Sequence, residues 1–263
     1  MSIEREAVLS SATIAMPVGS EVGAGDSALL GRAAVLIWND VAPEGRDAFY
    51  AWHDREHVPE RLALPGFRRG RRFAKAGHSP EWLTMYEADD IGALTSREYF
   101  ARLNAPTPAT SAALKHFRNT SRAVCRIACS LGSSTGGHVL ALRLNIVAAQ
   151  ADAMCRYLCD EAFPRAMAHT GVVACHLYQA HASASFVSTA ESSTREFDVP
   201  AWVVLCEAST AAAASAARLA IDGPDFRRLG VMVREDAAVY ALEVCRLASS
   251  SSHRADAGKV PAE

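Results

Sequence analysis

EHVPERLALPGF (residues 56–67) and EAFPRAMAHTGV (residues 161–172) are the two stretches on which the fold turns. Glu56 and Glu161, Pro59 and Pro164, and Gly66 and Gly171 stand 105 residues apart. Each stretch runs from a helical pattern into a Gly-containing turn, Pro65-Gly66 in the first and Thr170-Gly171 in the second. Upstream of the first, Ala33 to Asp40 (AAVLIWND) has the apolar, β-branched run of a strand. Pro43 to Leu62 reads as a helix, with Phe49, Trp52 and Glu56 on one face. Downstream come strands at Phe67 to Lys75 and Trp82 to Ala88, helices at Ile91 to Leu103 and Thr110 to Phe117, and a strand at Arg122 to Ser130. The order is βαββαβ.

The order repeats. His138 to Val147 reads as a strand, Gln150 to Met167 as a helix, and residues 172–180 and 199–208 as strands. An Ala-rich helix follows from Ser209 to Ile221, and Val239 to Leu247 closes the set. Trp82 and Trp202, and Glu87 and Glu207, lie 120 residues apart rather than 105. The difference places an insertion in the second hairpin, within HASASFVSTAESSTREFD (residues 181–198), whose composition predicts a long mobile loop. A βαββαβ run is the ferredoxin-like arrangement, with helices on one face of its sheet. The bare face needs cover, and a second copy of the sheet supplies it. The expected fold class is therefore α+β: two tandem ferredoxin-like βαββαβ units, 32–130 and 138–248, forming one pseudo-dimeric α+β barrel. A Gly/Ser linker, 131–137, joins them, and disordered tails flank them at 1–31 and 249–263.

Half of the 263 residues are hydrophobic and 21% are charged, as in a globular chain with a sizeable core. A formal net charge of -2 carries no basic footprint for nucleic acid. No apolar run approaches the roughly 18 residues that span a bilayer. The first residues lack the continuous apolar stretch of a signal peptide. Seven cysteines without a CxxC pair read as buried free thiols, which points to a reducing, cytoplasmic setting. In RRGRR (Arg68 to Arg72), strand alternation puts Arg69 and Arg71 on one face and Arg68 and Arg72 on the other. A solvated strand face and an anion site both fit that pattern.

The stretch WHDREHVPERLALPGFRRGRRF, residues 52–73, resembles a signature of the dimeric α+β-barrel superfamily and, more narrowly, of EthD-like proteins. In these a W-x-D-x-E-H-x-P-x-R pattern precedes P-G-F and an Arg-containing strand. Trp52, Asp54, Glu56, His57, Pro59, Arg61, Pro65, Gly66 and Phe67 occupy those positions. LNAPTP, residues 103–108, and the strand at Arg122 are similar too, so the likeness covers Ala33 to Ser130. The second half follows it in architecture alone. The resemblance implies a pocket between the sheet and the helices of one unit. It also implies a range of activities on aromatic or polyketide compounds, from cofactor-independent oxygenases, isomerases, decarboxylases and dehydratases to haem enzymes. His53 stands where an aromatic residue, often Tyr, is usual.

His53 and His57 are one helical turn apart and share a face. Imidazole suits proton transfer near neutral pH, and Asp54 or Glu56 could orient it. Arg72 or Arg122 would steady developing negative charge. Trp38, Phe49, Trp52, Phe73, Tyr86 and Phe117 are the candidate pocket lining. The second half has Leu158 and Ala162 where the first has His53 and His57, as a protein with one active half would. A structural reading competes: His57 caps the helix end, Asp54, Glu56 and Arg61 form salt bridges pinning the helix to the Arg68–Arg72 strand, and His53 is exposed. His53-x-x-x-His57 has two-ligand spacing without the HExxH pattern, and no metal site is assigned. The expectation is a small-molecule enzyme acting on a hydrophobic, aromatic or polyketide-like compound by His-assisted acid/base chemistry, without a tightly bound cofactor. The alternatives are a non-catalytic ligand-binding or scaffold protein, and a haem-binding member. The expected partner is a small hydrophobic molecule, and the chain is either a monomer through its pseudo-dimer or a homodimer.

Overall fold

The structure, a computed structural model, describes residues 27–194 and 198–249. Nine strands are present among them: β1 (Ala33–Val41), β2 (Phe67–Ala74), β3 (Trp82–Ala88), β4 (Phe117–Leu131), β5 (His138–Asn145), β6 (Val172–Ala180), β7 (Trp202–Ala208), β8 (Met232–Val233) and β9 (Ala238–Leu247). Eight of them close into an antiparallel barrel in the order β7-β6-β4-β1-β3-β2-β9-β5, with β5 returning to β7; short β8 hangs on the free end of β5. Closure leaves the eight strands without an open edge.

The halves share more than element order. Ala33 pairs with Ala88 in the first half, and His138 pairs with Ala208 in the second. A bulge follows Phe67 in β2, and one follows Val172 in β6 at the corresponding place. Each half contributes a four-stranded sheet, β4-β1-β3-β2 and β9-β5-β7-β6, and the two join through β2–β9 and β4–β6. The long helix of each half widens to a π-turn, at His53–His57 and at Tyr157–Ala162, directly before the turns carrying Pro59 and Pro164. Proline lacks an N–H and crowds the carbonyl one turn back, and a wider turn accommodates both defects. The helix runs on to Leu62, so His57 does not cap its end.

Strand alternation sends one set of side chains into the barrel and the other toward the helices. Leu36, Trp38, Phe73, Leu83, Met85, Tyr178, Leu205 and Tyr240 form the barrel interior. Trp38 and Phe73, expected in the pocket, therefore face away from it. Trp38 has the parity of Leu36, whereas Ile37 and Asn39 point to the helices. Arg69 and Arg71 also turn inward, so they are neither a solvated face nor an open anion site. Arg69 holds Glu87 through Nε at 2.8 Å, and Arg71 bridges Glu207 at 2.8 Å and Glu87 at 3.1 Å. The backbone N–H groups of Leu30 and Gly136 cap the two buried carboxylates, each at 2.9 Å. Burial alone would raise the Glu207 carboxyl, but His176, Arg71 and the Gly136 N–H bring it down to about 2. Removing one member of such a buried pair typically costs about 3–5 kcal/mol, because its partner is left uncompensated.

The same network orders part of the expected N-terminal tail. Arg69 donates to the Ala28 carbonyl at 2.8 Å, and Leu29 is buried with the barrel interior. Residues 27–31 thus belong to the folded body, whereas residues 1–26 and 250–263 of the expected tails lie outside the described residues. Other boundaries moved too. The predicted helix from Ile91 to Leu103 is two helices, Ile91–Leu94 and Arg97–Asn104, because the Ser96 hydroxyl caps the second by accepting from the Tyr99 N–H. β4 begins at Phe117, five residues before the expected start.

Candidate functional site

Between the outer face of the first half-sheet and its helices lies a cavity of about 50 Å³, room for a few water molecules. Ile37 and Asn39 of β1, Thr84 and Tyr86 of β3, and Arg122 of β4 form its floor; Phe49, Trp52, His53, His57 and Arg61 descend from the long helix. Tyr99, Leu103, Leu114 and Phe117 close the side. The roof comes from the other half of the chain. Ala184, Val187, Thr189, Glu191 and Ser192 belong to the β6–β7 hairpin insertion, which the sequence predicted as a mobile loop. It is instead folded onto the first half. The Ser185 hydroxyl accepts from the Val124 N–H at 3.0 Å, the Glu191 N–H donates to the Leu103 carbonyl at 3.1 Å, and the Ala190 N–H donates to Asn104 Oδ1 at 3.0 Å.

His53 is buried, not exposed. Its Nδ1 lies 2.9 Å from an Arg72 guanidinium nitrogen. A guanidinium only donates, so Nδ1 is the acceptor and the ring proton sits on Nε2, which faces Thr84 Oγ1 at 3.5 Å. Burial and then the Arg72 charge push its pKa down to about 3. At neutral pH His53 is a neutral hydrogen-bond donor and a very poor base. Arg72 stands behind it, held by Asp54 at 2.5 Å and by Glu243 of β9 at 2.8 Å, and does not line the cavity. Asp54 is thus committed to Arg72, and Glu56 accepts from the Thr107 hydroxyl. Neither of these two contacts orients His57.

His57 lies on the next turn, its ring 4.3 Å from that of Trp52 and 5.6 Å from that of His53, centroid to centroid. The Trp52 indole N–H is anchored on the Thr110 hydroxyl at 3.0 Å, which fixes the plane against which His57 rests. The Tyr86 ring meets His57 edge-on at 6.2 Å. Its hydroxyl is buried without a hydrogen-bond partner among the described residues, and burial holds it well above its ordinary pKa. A polar group left bare in this way costs free energy that a ligand atom would return. Arg61, read from sequence as a structural salt-bridge residue, faces the cavity and pairs with Glu191 at 2.5 Å and Glu60 at 3.6 Å. Arg122 donates to the Tyr99 hydroxyl at 3.2 Å.

The sequence-derived residues therefore fall into three groups. Phe49, Trp52, His53, His57, Tyr86, Phe117 and Arg122 meet around the cavity. Asp54, Glu56 and Arg72 form the shell behind it. Trp38 and Phe73 lie on the far side of the sheet. Sequence reasoning missed Asn39, Thr84, Tyr99 and the lid, and did not assign Arg61 to the site. The spacing of His53, His57 and Arg61, each four residues on, was the available signal for the last. Among the described residues no group of three His, Cys, Asp or Glu side chains is placed to hold a metal ion. The closed space is far smaller than the roughly 300–1,000 Å³ of pockets for organic ligands, so any such ligand requires it to open.

No family model matches the sequence, and a search of curated proteins finds no match. Solved structures do resemble the chain. One is an anthrone oxidase-like protein, with a TM-score of 0.56 and 12% identity over 84% of this chain and 95% of that one. Another is a chlorite dismutase-like protein, with a TM-score of 0.50 and 10% identity over 82% and 96%. At such identities the likeness speaks for architecture, and with the closed eight-stranded ring it defines the class. The chain has the dimeric α+β-barrel fold. No helix among the described residues is long and apolar enough to cross a membrane.

Proposed function

We propose that this protein is an EthD-like small-molecule enzyme in which two ferredoxin-like units arose by duplication and only the first retains a site. The reaction begins with proton transfer. His57 removes a proton from an activated C–H or O–H of an aromatic or polyketide-like compound, and the electron pair stays on the substrate as an enolate or phenolate. The His53 Nε2–H and the Tyr86 hydroxyl donate to that oxygen. A neutral imidazole in this role does not compete for the proton, which leaves His57 as the base. Arg72 acts as a positioning residue by fixing the His53 tautomer. Such a step opens isomerisation, dehydration, decarboxylation and reaction with oxygen alike, and the cofactor-free reading is part of the proposal.

The observation that carries it is the pairing of His53, locked in one tautomer by Arg72, with His57 inside an aromatic cavity whose Tyr86 hydroxyl is unsatisfied. Anthrone, a carbon acid suggested by the name of one structural neighbour, serves as the probe. Exchange of its acidic C–H with D₂O is followed by proton NMR. The wild type should accelerate exchange, and His57→Ala should lose about 10²–10⁴-fold while its melting temperature stays within a few degrees. Equal exchange by His57→Ala and the wild type would sink the proposal. Binding of anthrone without any exchange would favour a ligand-binding protein instead.

A further inference from the structure

We infer that the ligand of this cavity carries an acidic group, and that this group replaces the lid residue Glu191 on Arg61. The inference rests on the cavity being a small-molecule site, but not on any chemistry by His57. Two guanidinium groups, Arg61 and Arg122, line the cavity. Among the described residues Arg122 has no acidic partner, and its cavity-side hydrogen bond goes to the Tyr99 hydroxyl. Arg61 has two carboxylate neighbours, but they differ in kind. Glu60 is the more distant at 3.6 Å and is itself gripped by Arg102. Glu191 is the close one at 2.5 Å, and it arrives on a segment from the opposite half of the chain.

The cavity as closed has room for only a few water molecules, so any organic ligand requires the lid, residues 182–194, to shift. Moving it withdraws Glu191 from Arg61. A guanidinium only 2% exposed would then face the cavity beside Arg122 with only Glu60, 3.6 Å away and shared with Arg102, as counter-charge, and a neutral ligand could not replace the pair that was lost. Burying an uncompensated cation is costly, whereas a carboxylate or phenolate on the ligand restores the charge-assisted pair that Glu191 made. The Tyr86 hydroxyl, buried and without a hydrogen-bond partner among the described residues, lines the same cavity and offers a further donor to the same anion. Glu191 is on this view a resident stand-in for the ligand's acid, and the exchange of one for the other couples ligand entry to release of the lid.

The test compares 2-naphthoate with its uncharged match, 2-naphthamide, by isothermal titration calorimetry at pH 7 on the full chain. The wild type should bind the carboxylate at least about tenfold more tightly, the value of one charge-assisted hydrogen bond. Glu191→Gln should strengthen naphthoate binding several-fold, by removing its competitor, and leave naphthamide nearly unchanged. Arg61→Gln should abolish the preference. Should that variant fail to fold, Glu191→Gln on a lid segment decides the matter alone. Backbone hydrogen exchange in residues 182–194 should rise with naphthoate and not with naphthamide. Equal affinity for the two probes, or weaker naphthoate binding by Glu191→Gln, would overturn the inference. Neither outcome touches the proton-transfer proposal, which is read from exchange of anthrone.

Discussion

The two halves of the barrel differ most where their helices meet the sheet. At positions matched by register, His53 stands against Leu158, His57 against Ala162, Arg61 against Ala166, Arg72 against Leu177 and Tyr86 against Cys206. The second half packs this layer as a dry core of Leu140, Met154, Leu158, Phe163, Leu177 and Trp202 with their neighbours. The first half sets imidazole, guanidinium and phenol among its apolar residues there. Both halves build the same strands, bulges and π-turn, so the fold does not require the polar set. Burying such groups costs free energy that hydrogen bonds offset only in part. Their concentration in one half is what supports a site there. Glu87 and Glu207 make the opposite case, because a buried carboxylate present at the same position in both halves belongs to the barrel itself.

Between pH 7 and pH 4 acid should strain the first half more than the second. His53 titrates near 3 in the folded protein and near 6.5 when exposed. Between these values the unfolded chain takes up a proton that the folded one refuses, so stability is present above pH 6.5 and lost as pH falls toward 3. The full loss is about 5 kcal/mol. Urea denaturation from pH 7 down to pH 4 should show this slope over the wild-type background, and His53→Leu, which imitates Leu158, should remove it. An unchanged slope would mean that His53 is not held neutral.

The reverse transplant should also fail. Ala162 is fully buried in the second-half core, and Ala162→His would overfill it with an unpartnered ring. A loss of about 4 kcal/mol is expected from the urea midpoint. A tolerated histidine there would erase the distinction between a polar half and an apolar one. The smallest effects test what the halves share. Gly66 and Gly171 both adopt positive φ, 79° and 91°. A methyl group on Gly66 would come 2.5 Å from Ala93 Cβ, and one on Gly171 would meet the Ser209 hydroxyl at 2.9 Å and Ala213 Cβ at 3.0 Å. Alanine at either should cost about 1–2 kcal/mol in thermal melts, more at Gly66. A neutral substitution at one of them would mean that the two bends are not equivalent.

Much of the frame was legible along the chain. β6 was readable from Val172 to Ala180 end to end, because an apolar run between a Gly turn and a polar loop has few alternatives. The His53 and His57 pair was legible because helical spacing is local. Trp38 and Phe73 were misplaced for a definite reason: side-chain parity along a strand is readable, but which face lies inside the barrel depends on where the second sheet sits. Asp54 does pair with Arg72 of the strand it was expected to pin. The partners of Glu56 and Arg61 were mistaken for a related reason, since Thr107 and Glu191 lie 51 and 130 residues away from them along the chain.

Residues within a few positions of one another settled the turns at Gly66 and Gly171, the helix breaks at proline, the alternation of the strands and the matched order of the halves. Backbone dihedrals answer to their immediate neighbours, and that information is written in the chain. Only the tertiary structure decided that Arg72 locks the His53 tautomer, that Arg69 and Arg71 are sealed inside, and that a segment from the second half roofs the cavity of the first. Desolvation and ion pairing act through space, and distance in space is set once the barrel has closed.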